Sequence, residues 1–143
     1  EMLRSLVGSE MCIRDRHSSI NMRLSLISRA LGRVYLAFCS PDEQEMLLEV
    51  VRQRGHPEDQ LAHDPVAVKA MLDDIRACGY ALRDPALRPV SGTLAVPVMA
   101  REFVAASIGV TWFSSALTPA QAVERYLAPL QDVAHRISEQ LSA

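Results

Sequence analysis

Among the residue types able to do chemistry, the cysteines of this chain stand alone rather than in a constellation. Cys39 lies in "AFCSP", at the end of an apolar helical stretch, and Cys78 lies in "RACGY", in the last turn of another. A nucleophilic thiol needs an electropositive helix start and a nearby base, and neither cysteine has that setting. A buried, structural role for both is the expectation. His56, His63 and His135 share no ligand spacing such as i, i+4, so no metal site is expected. Asp73 and Asp74 fall on an amphipathic helix and read as a solvated face. "ALGR" is too short to stand in for a phosphate-cradling glycine loop. No catalytic residue and no cofactor is expected.

A row of small and hydroxyl residues is more informative. Thr93, Ser107, Gly109 and Thr111 interrupt otherwise apolar runs. On a strand, Ser107, Gly109 and Thr111 share one face because side chains alternate. Small residues there either admit a helix packed close to a sheet or leave room for a ligand. The hydroxyls suit a small-molecule pocket, which mixes apolar walls with a few polar anchors.

Several elements must position that row. "MRLSLI" alternates and predicts a short strand, and "SRALGRVYLAFC" a short buried helix. "SPDEQEMLLEVVRQRG" predicts a helix with Ser40 as cap, Pro41 at its first position, Glu43 completing a capping box and Gly55 as its stop. Its expected apolar stripe is Met46, Leu47, Val50 and Val51. "GHPEDQLAHD" reads as a polar loop. A second helix follows, capped by Asp64, opened by Pro65 and ended by Gly79, with Val68, Met71, Leu72 and Ile75 inward. "YALRD" is strand-like and "PALRPVSG" rich in turn residues. "TLAVPVMAREFVAASIGVTWF" predicts two strands around a turn near residues 100–102, with Pro97 marking an edge or a bulge. Thr118, Pro119 and Gln121 open a last helix with a stripe of Ala122, Tyr126, Leu130, Val133, Ile137 and Leu141. Pro129 should kink it. The pattern is that of an α+β domain with an antiparallel sheet.

At 143 residues the chain is one domain by length. A formal net charge of −2 gives no electrostatic case for nucleic acid or membrane binding. No apolar run approaches the roughly 20 residues of a membrane-spanning helix. Three cysteines, an odd count without metal-type spacing, favour a reduced, cytoplasmic setting.

"GRVYLAFCSPDEQEMLLEV", "DDIRACGYALRD" and "GTLAVPVMAREFVAASIGV" resemble, in order, three landmarks of the effector-binding domain of IclR-family bacterial transcription regulators. "SSALTPAQAVERYLAPLQDVAHRISEQL" is similar to that family's closing helix, and the wording is nearest to the branch regulating catabolism of aromatic acids. The resemblance covers about residues 22–141. It implies a GAF-like antiparallel sheet with flanking helices, holding a small organic acid effector, and assembly into a homodimer or tetramer. It also implies that DNA is read only through a separate N-terminal winged helix-turn-helix, which this chain lacks. The chain is therefore expected to be an N-terminally truncated sensor domain, not an enzyme. Alternatives are a GAF-like enzyme using Cys39 or Cys78, or a stand-alone oligomerisation module.

Carried over by position, the resemblance places ligand contacts at Ala30 and Leu31 through their backbone, and at Thr93, Gly109 and Thr111 on the sheet. The family's acidic anchor falls on Arg83, with Asp84 beside it, and the glutamate expected soon after is replaced by "PALRPVSG". Those departures set the chain apart from relatives that sense glyoxylate, pyruvate or allantoin-type compounds. An arginine there could pair with a ligand carboxylate, or could simply be solvated beside Asp84. Gly109 in place of a hydroxyl would leave room for a flatter, bulkier body. Residues 1–16 have neither the composition of a signal nor the period of an element. They resemble translated sequencing-adapter sequence and are expected to be foreign, Cys12 included, leaving 17–143 as a partial effector-binding domain.

Overall fold

The computed structural model describes residues 23–142. The expectations for residues 1–16, including Cys12, lie outside the described residues. Residues 23–27, expected within a strand, instead lead into turns. Ser25 Oγ accepts from the backbone N–H groups of Ile27 (3.2 Å) and Ser28 (3.0 Å). A hydroxyl that bonds its own backbone two and three residues on favours a turn over a ladder.

Helix α1 spans Ala30–Phe38 and buries Ala30, Gly32, Val34, Leu36 and Ala37. Helix α2 spans Pro41–Arg54. Ser40 Oγ accepts from the Glu43 N–H, Pro41 opens the helix, and Gly55 closes it at φ 57°. The capping box is only half made, because the Glu43 carboxylate accepts from the Tyr35 hydroxyl at 2.7 Å. The buried positions of α2 are Leu48 and Val51, while Met46 and Val50 are exposed. Of the expected stripe, Val51 is buried and Leu47 packs half-buried against the core, while Leu48 takes an inward place in their company. That segment, expected as a loop, is a 3-10 helix over Pro57–His63 that buries Asp59 and Ala62. Helix α3, Pro65–Cys78, follows its capping signals: Asp64 Oδ1 accepts from Val66 and Ala67 N–H, and Gly79 ends it at φ 80°.

The sheet is three antiparallel strands in the order β1 (Ala81–Leu82), β2 (Ser91–Ala100), β3 (Phe103–Phe113). The β2–β3 register pairs Thr93 with Thr111, Ala95 with Gly109 and Pro97 with Ser107. β1 reaches only Leu94 and Ala95 of β2. Among the described residues Pro97 has no pairing partner on the β1 side, and it lies just before a register shift at Val98/Met99. The irregularity expected near Pro97 is present.

Helix α4 spans Pro119–Ser142. Thr118 Oγ1 accepts from Gln121 N–H and Gln121 Oε1 from Thr118 N–H, a complete capping box. Pro129 lies exposed within the helix. The two faces of the sheet have separate partners. Leu94, Val96 and Val98 pack with Trp112, Ala122, Leu127, Leu130 and Ala134 on the α4 side. Ala95 joins Ala30, Val34, Ala37 and Leu72 in the core on the α1 side. Of the expected α4 stripe, Val133 and Leu141 are exposed, and Ala134 takes the inward place.

Candidate functional site

The α1 side of the sheet carries Thr93, Gly109 and Thr111, and an open cavity of about 570 Å³ lies over them. Ala30, Leu31 and Arg83 also line it, so six of the seven expected contact residues surround one space. The cross-strand pair Thr93–Thr111 brings its two hydroxyls within 3.1 Å of each other at the floor. At Gly109 a Cβ would lie 2.7 Å from the Leu94 carbonyl oxygen and 3.3 Å from Leu31 Cδ2. The space a side chain would fill is thus shared with Leu31. Ser107, in the same row, does not line the cavity, and its buried Oγ has no partner among the described residues.

Asp84 stands apart from this cavity. Its carboxylate accepts from the Ala86 N–H at 2.9 Å and lies 3.7 Å from Arg33 Nη2, while its own N–H donates to Ser28 O at 3.1 Å. It holds the loop to α1. Arg33 completes the joint by donating to Ile27 O (2.7 Å) and Leu82 O (3.0 Å). Burial lowers the Arg33 pKa from its ordinary value, and Asp84 opposes that shift.

Sequence reasoning missed two of the three arginines at the cavity. Arg29, Arg83 and Arg88 all line it, and no carboxylate is among its described lining residues. Arg29 is paired with Glu58 at 3.3 Å. Arg83 Nη2 donates to the carbonyl of Ser91, to Ser91 Oγ at 2.8 Å and to Arg88 O at 3.3 Å. All of these Arg83 acceptors are neutral. Its pKa is lowered first by burial and then by the charges of Arg29 and Arg88. The Nε atoms of Arg29 and Arg83 are buried and have no partner among the described residues. The alternation of β3 could have revealed Phe113, which shares a face with Gly109 and Thr111 and also lines the cavity. No local signal could have brought Arg29 and Arg88 together, because their meeting depends on how α1 and the 83–90 segment pack.

The thiols do not converge on this space. Cys39 is buried, and its pKa is raised chiefly by desolvation and next by Glu43. Cys78 corrects the expectation of a buried cysteine, since it is exposed at the end of α3. Alkylation with iodoacetamide followed by peptide mapping should modify Cys78 faster than Cys39, because the thiolate is the reactive form. Equal rates would contradict the burial of Cys39. Among the described residues no group of His, Cys, Asp or Glu could hold a metal ion. Among them, too, no helix is long and apolar enough to cross a membrane.

A sheet with helices on both faces, and an open cationic pocket on one of them, has the form of a ligand-sensing domain. Residues 7–139 match the family described as bacterial transcriptional regulator IclR, C-terminal. The chain belongs to that family and is an effector-binding domain of a transcriptional regulator. The matched span opens inside the segment expected to be foreign. The chain is 29% identical over 126 residues to the HTH-type transcriptional regulator KdgR of Escherichia coli K12, covering 87% of this chain and 47% of that protein. The solved C-terminal domain of E. coli KdgR superposes with a TM-score of 0.69 at 27% identity, over 85% of this chain and 74% of that one. Thermotoga maritima IclR gives 0.70 at 25% identity, over 85% and 49%. The inducer-binding domain of PobR from Acinetobacter, solved as a double mutant with 3-hydroxybenzoic acid, shares the fold at a TM-score of 0.65 and 19% identity, over 81% and 66%. The chain thus spans about half the length of the curated relative it matches.

Proposed function

We propose that the cavity over Thr93, Gly109 and Thr111 binds the anion of a small organic acid, aromatic or arylalkanoic, with Arg83 as its principal cation. The observation that carries this reading is three arginines around a cavity whose described lining has no carboxylate. Among the described residues two of their Nε donors are buried without a partner, and a carboxylate drawing either guanidinium inward would give such a donor an acceptor. Leu24, Val90 and Phe113, all exposed, supply an apolar rim suited to a ring. In the whole regulator, occupancy would shift how an attached DNA-binding part is presented, with no catalytic step by this domain. Assembly as a homodimer or tetramer, in a cytoplasmic regulator, belongs to the same reading, and light scattering of the purified chain tests the assembly.

Isothermal calorimetry with benzoate and longer aryl acids is the direct test. A hydrogen bond to a charged group contributes about 1.5–3 kcal/mol, so Arg83→Ala should weaken binding roughly 10- to 100-fold. Unchanged affinity would remove Arg83 from the reading. Arginine stays protonated across the working range, so the pH dependence should follow the ligand. Binding should fade as pH falls through the acid's own pKa, at about 4. An oligomerisation module without a ligand predicts no rise in Tm with any of these acids.

A further inference from the structure

We infer that the site is bipartite: a second, apolar slot behind Arg83 receives the flat hydrocarbon part of the ligand whose carboxylate the arginines hold. This rests on the anion-binding reading for the carboxylate, but the slot has its own geometry. It is a space of about 230 Å³ between the 83–90 segment, the adjoining ends of β2 and β3, and the start of α4. Leu82, Pro85, Pro89, Gly92, Trp112 and Pro119 form its apolar lining. An apolar cavity of roughly 150 Å³ accepts benzene, so this slot has room for a phenyl ring with a small substituent.

Two features fix what the slot prefers. Trp112 donates its indole N–H to Leu117 O at 3.0 Å, which anchors the polar edge of the ring. The carbocyclic edge lies over Gly92, where a Cβ would come 2.5 Å from Cε2 and 2.7 Å from Cη2. An apolar indole edge at the wall is a partner for an edge-to-face aromatic contact. The proline walls have fixed φ angles and lose little freedom on binding. Arg33 also borders the slot, but its guanidinium is occupied by Ile27 O, Leu82 O and Asp84. Arg33 is therefore no rival for the carboxylate. The cations left for it, Arg83 and Arg88, also line the first cavity, so the orientation follows with the ring in the slot and the carboxylate toward that cavity. Arg83, Arg88, Ser91, Thr93 and Trp112 line both spaces. Arg83, held by Ser91 and the Arg88 carbonyl, stands at the junction. A ligand reaching across it needs a spacer between ring and carboxylate.

The test titrates the 143-residue chain with benzoate, phenylacetate, 3-phenylpropionate and neutral 3-phenylpropanamide. Calorimetry gives affinities, and the emission of Trp112, the chain's single tryptophan, reports the slot. Ser114→Phe and Pro85→Phe place a ring in the slot from two exposed positions, with circular dichroism confirming the fold. Burying a ring and its spacer should make 3-phenylpropionate bind roughly tenfold or more tightly than benzoate. Both variants should abolish that advantage. The amide should shift Trp112 emission in the parent chain and not in the variants. Affinity indifferent to spacer length, or no Trp112 response to either phenylpropyl probe, overturns the slot. Failure of the anion reading appears separately, as benzoate affinity insensitive to Arg83→Ala while the amide still reports on Trp112.

Discussion

Trp112→Ala is expected to lower the unfolding free energy by about 3–5 kcal/mol, the usual range for deleting a buried large aromatic side chain. Trp112 is 7% exposed and packs with Leu94 and Ala122, supported by Tyr126, Leu127 and Leu130. The opposed position on β2 is Gly92, which has no side chain to move into the space vacated. The cavity therefore cannot collapse from that side. The Leu117 carbonyl, which now accepts from the indole, would lose its partner as well. Since domains of this size are stable by about 5–15 kcal/mol, the variant should show a large drop in urea midpoint by circular dichroism. Trp112→Phe restores part of the volume but not the hydrogen bond, and should fall between the two. A loss under about 1 kcal/mol for alanine would mean that the sheet end repacks freely, contrary to the fit of indole on glycine.

The parts of the fold readable in the sequence were those written in local chemistry. Ser40 with Pro41, Asp64 with Pro65, and Thr118 with Gln121 each place a side-chain oxygen against free N–H groups, and all three helices start there. Gly55 and Gly79 mark the stops by their positive φ. The parts misread depend on distant packing. Residues 57–63 look polar because Asp59 is charged, yet Asp59 is buried and its carboxylate meets Arg23 at 3.2 Å. Ser28 Oγ donates to Glu58 O at 2.5 Å. These long-range ties accompany the folding of a polar stretch into a 3-10 turn, and residues 23–28 lead into turns in place of a strand.

The candidate site divides the same way. Period-two alternation identified Gly109 and Thr111 as neighbours on one face, and the register adds Thr93 directly opposite Thr111. Alternation could not say that Ser107 would fall outside the cavity opposite Pro97, or that three arginines would meet. Like charges drawn together from α1 and from the 83–90 segment are a tertiary fact. After burial, the larger cause, these neighbouring charges lower the Arg83 pKa further.

Gly32→Ala tests how α1 is fitted to the cavity, and two opposed effects decide its sign. Within a helix, alanine is favoured over glycine by about 1 kcal/mol, so propensity alone predicts stabilisation. Here the added Cβ would lie 2.5 Å from Leu26 Cα and 2.8 Å from its carbonyl carbon. Both are backbone atoms and cannot rotate aside. They belong to the turn that Ser25 closes, beside Ile27 in the core. Overpacking costs about 1–3 kcal/mol, and backbone atoms that cannot move aside put this site at the upper end, so after the gain in propensity the net expectation is a loss of about 2 kcal/mol. Gly55→Ala is the control: nothing lies within 4 Å of its Cβ, and only the left-handed φ of 57° is strained, a cost of about 1 kcal/mol. The two variants separate in the ligand readout. Displacing α1 moves Ala30 and Leu31 at the cavity wall and strains the Arg33 bonds to Ile27 and Leu82. Gly32→Ala should therefore weaken aryl-acid binding in calorimetry, whereas Gly55→Ala, at the far end of α2, should leave it intact. A Gly32→Ala chain as stable as the parent would show that the turn before α1 yields, and the close crossing would then not be what sets the wall of the pocket.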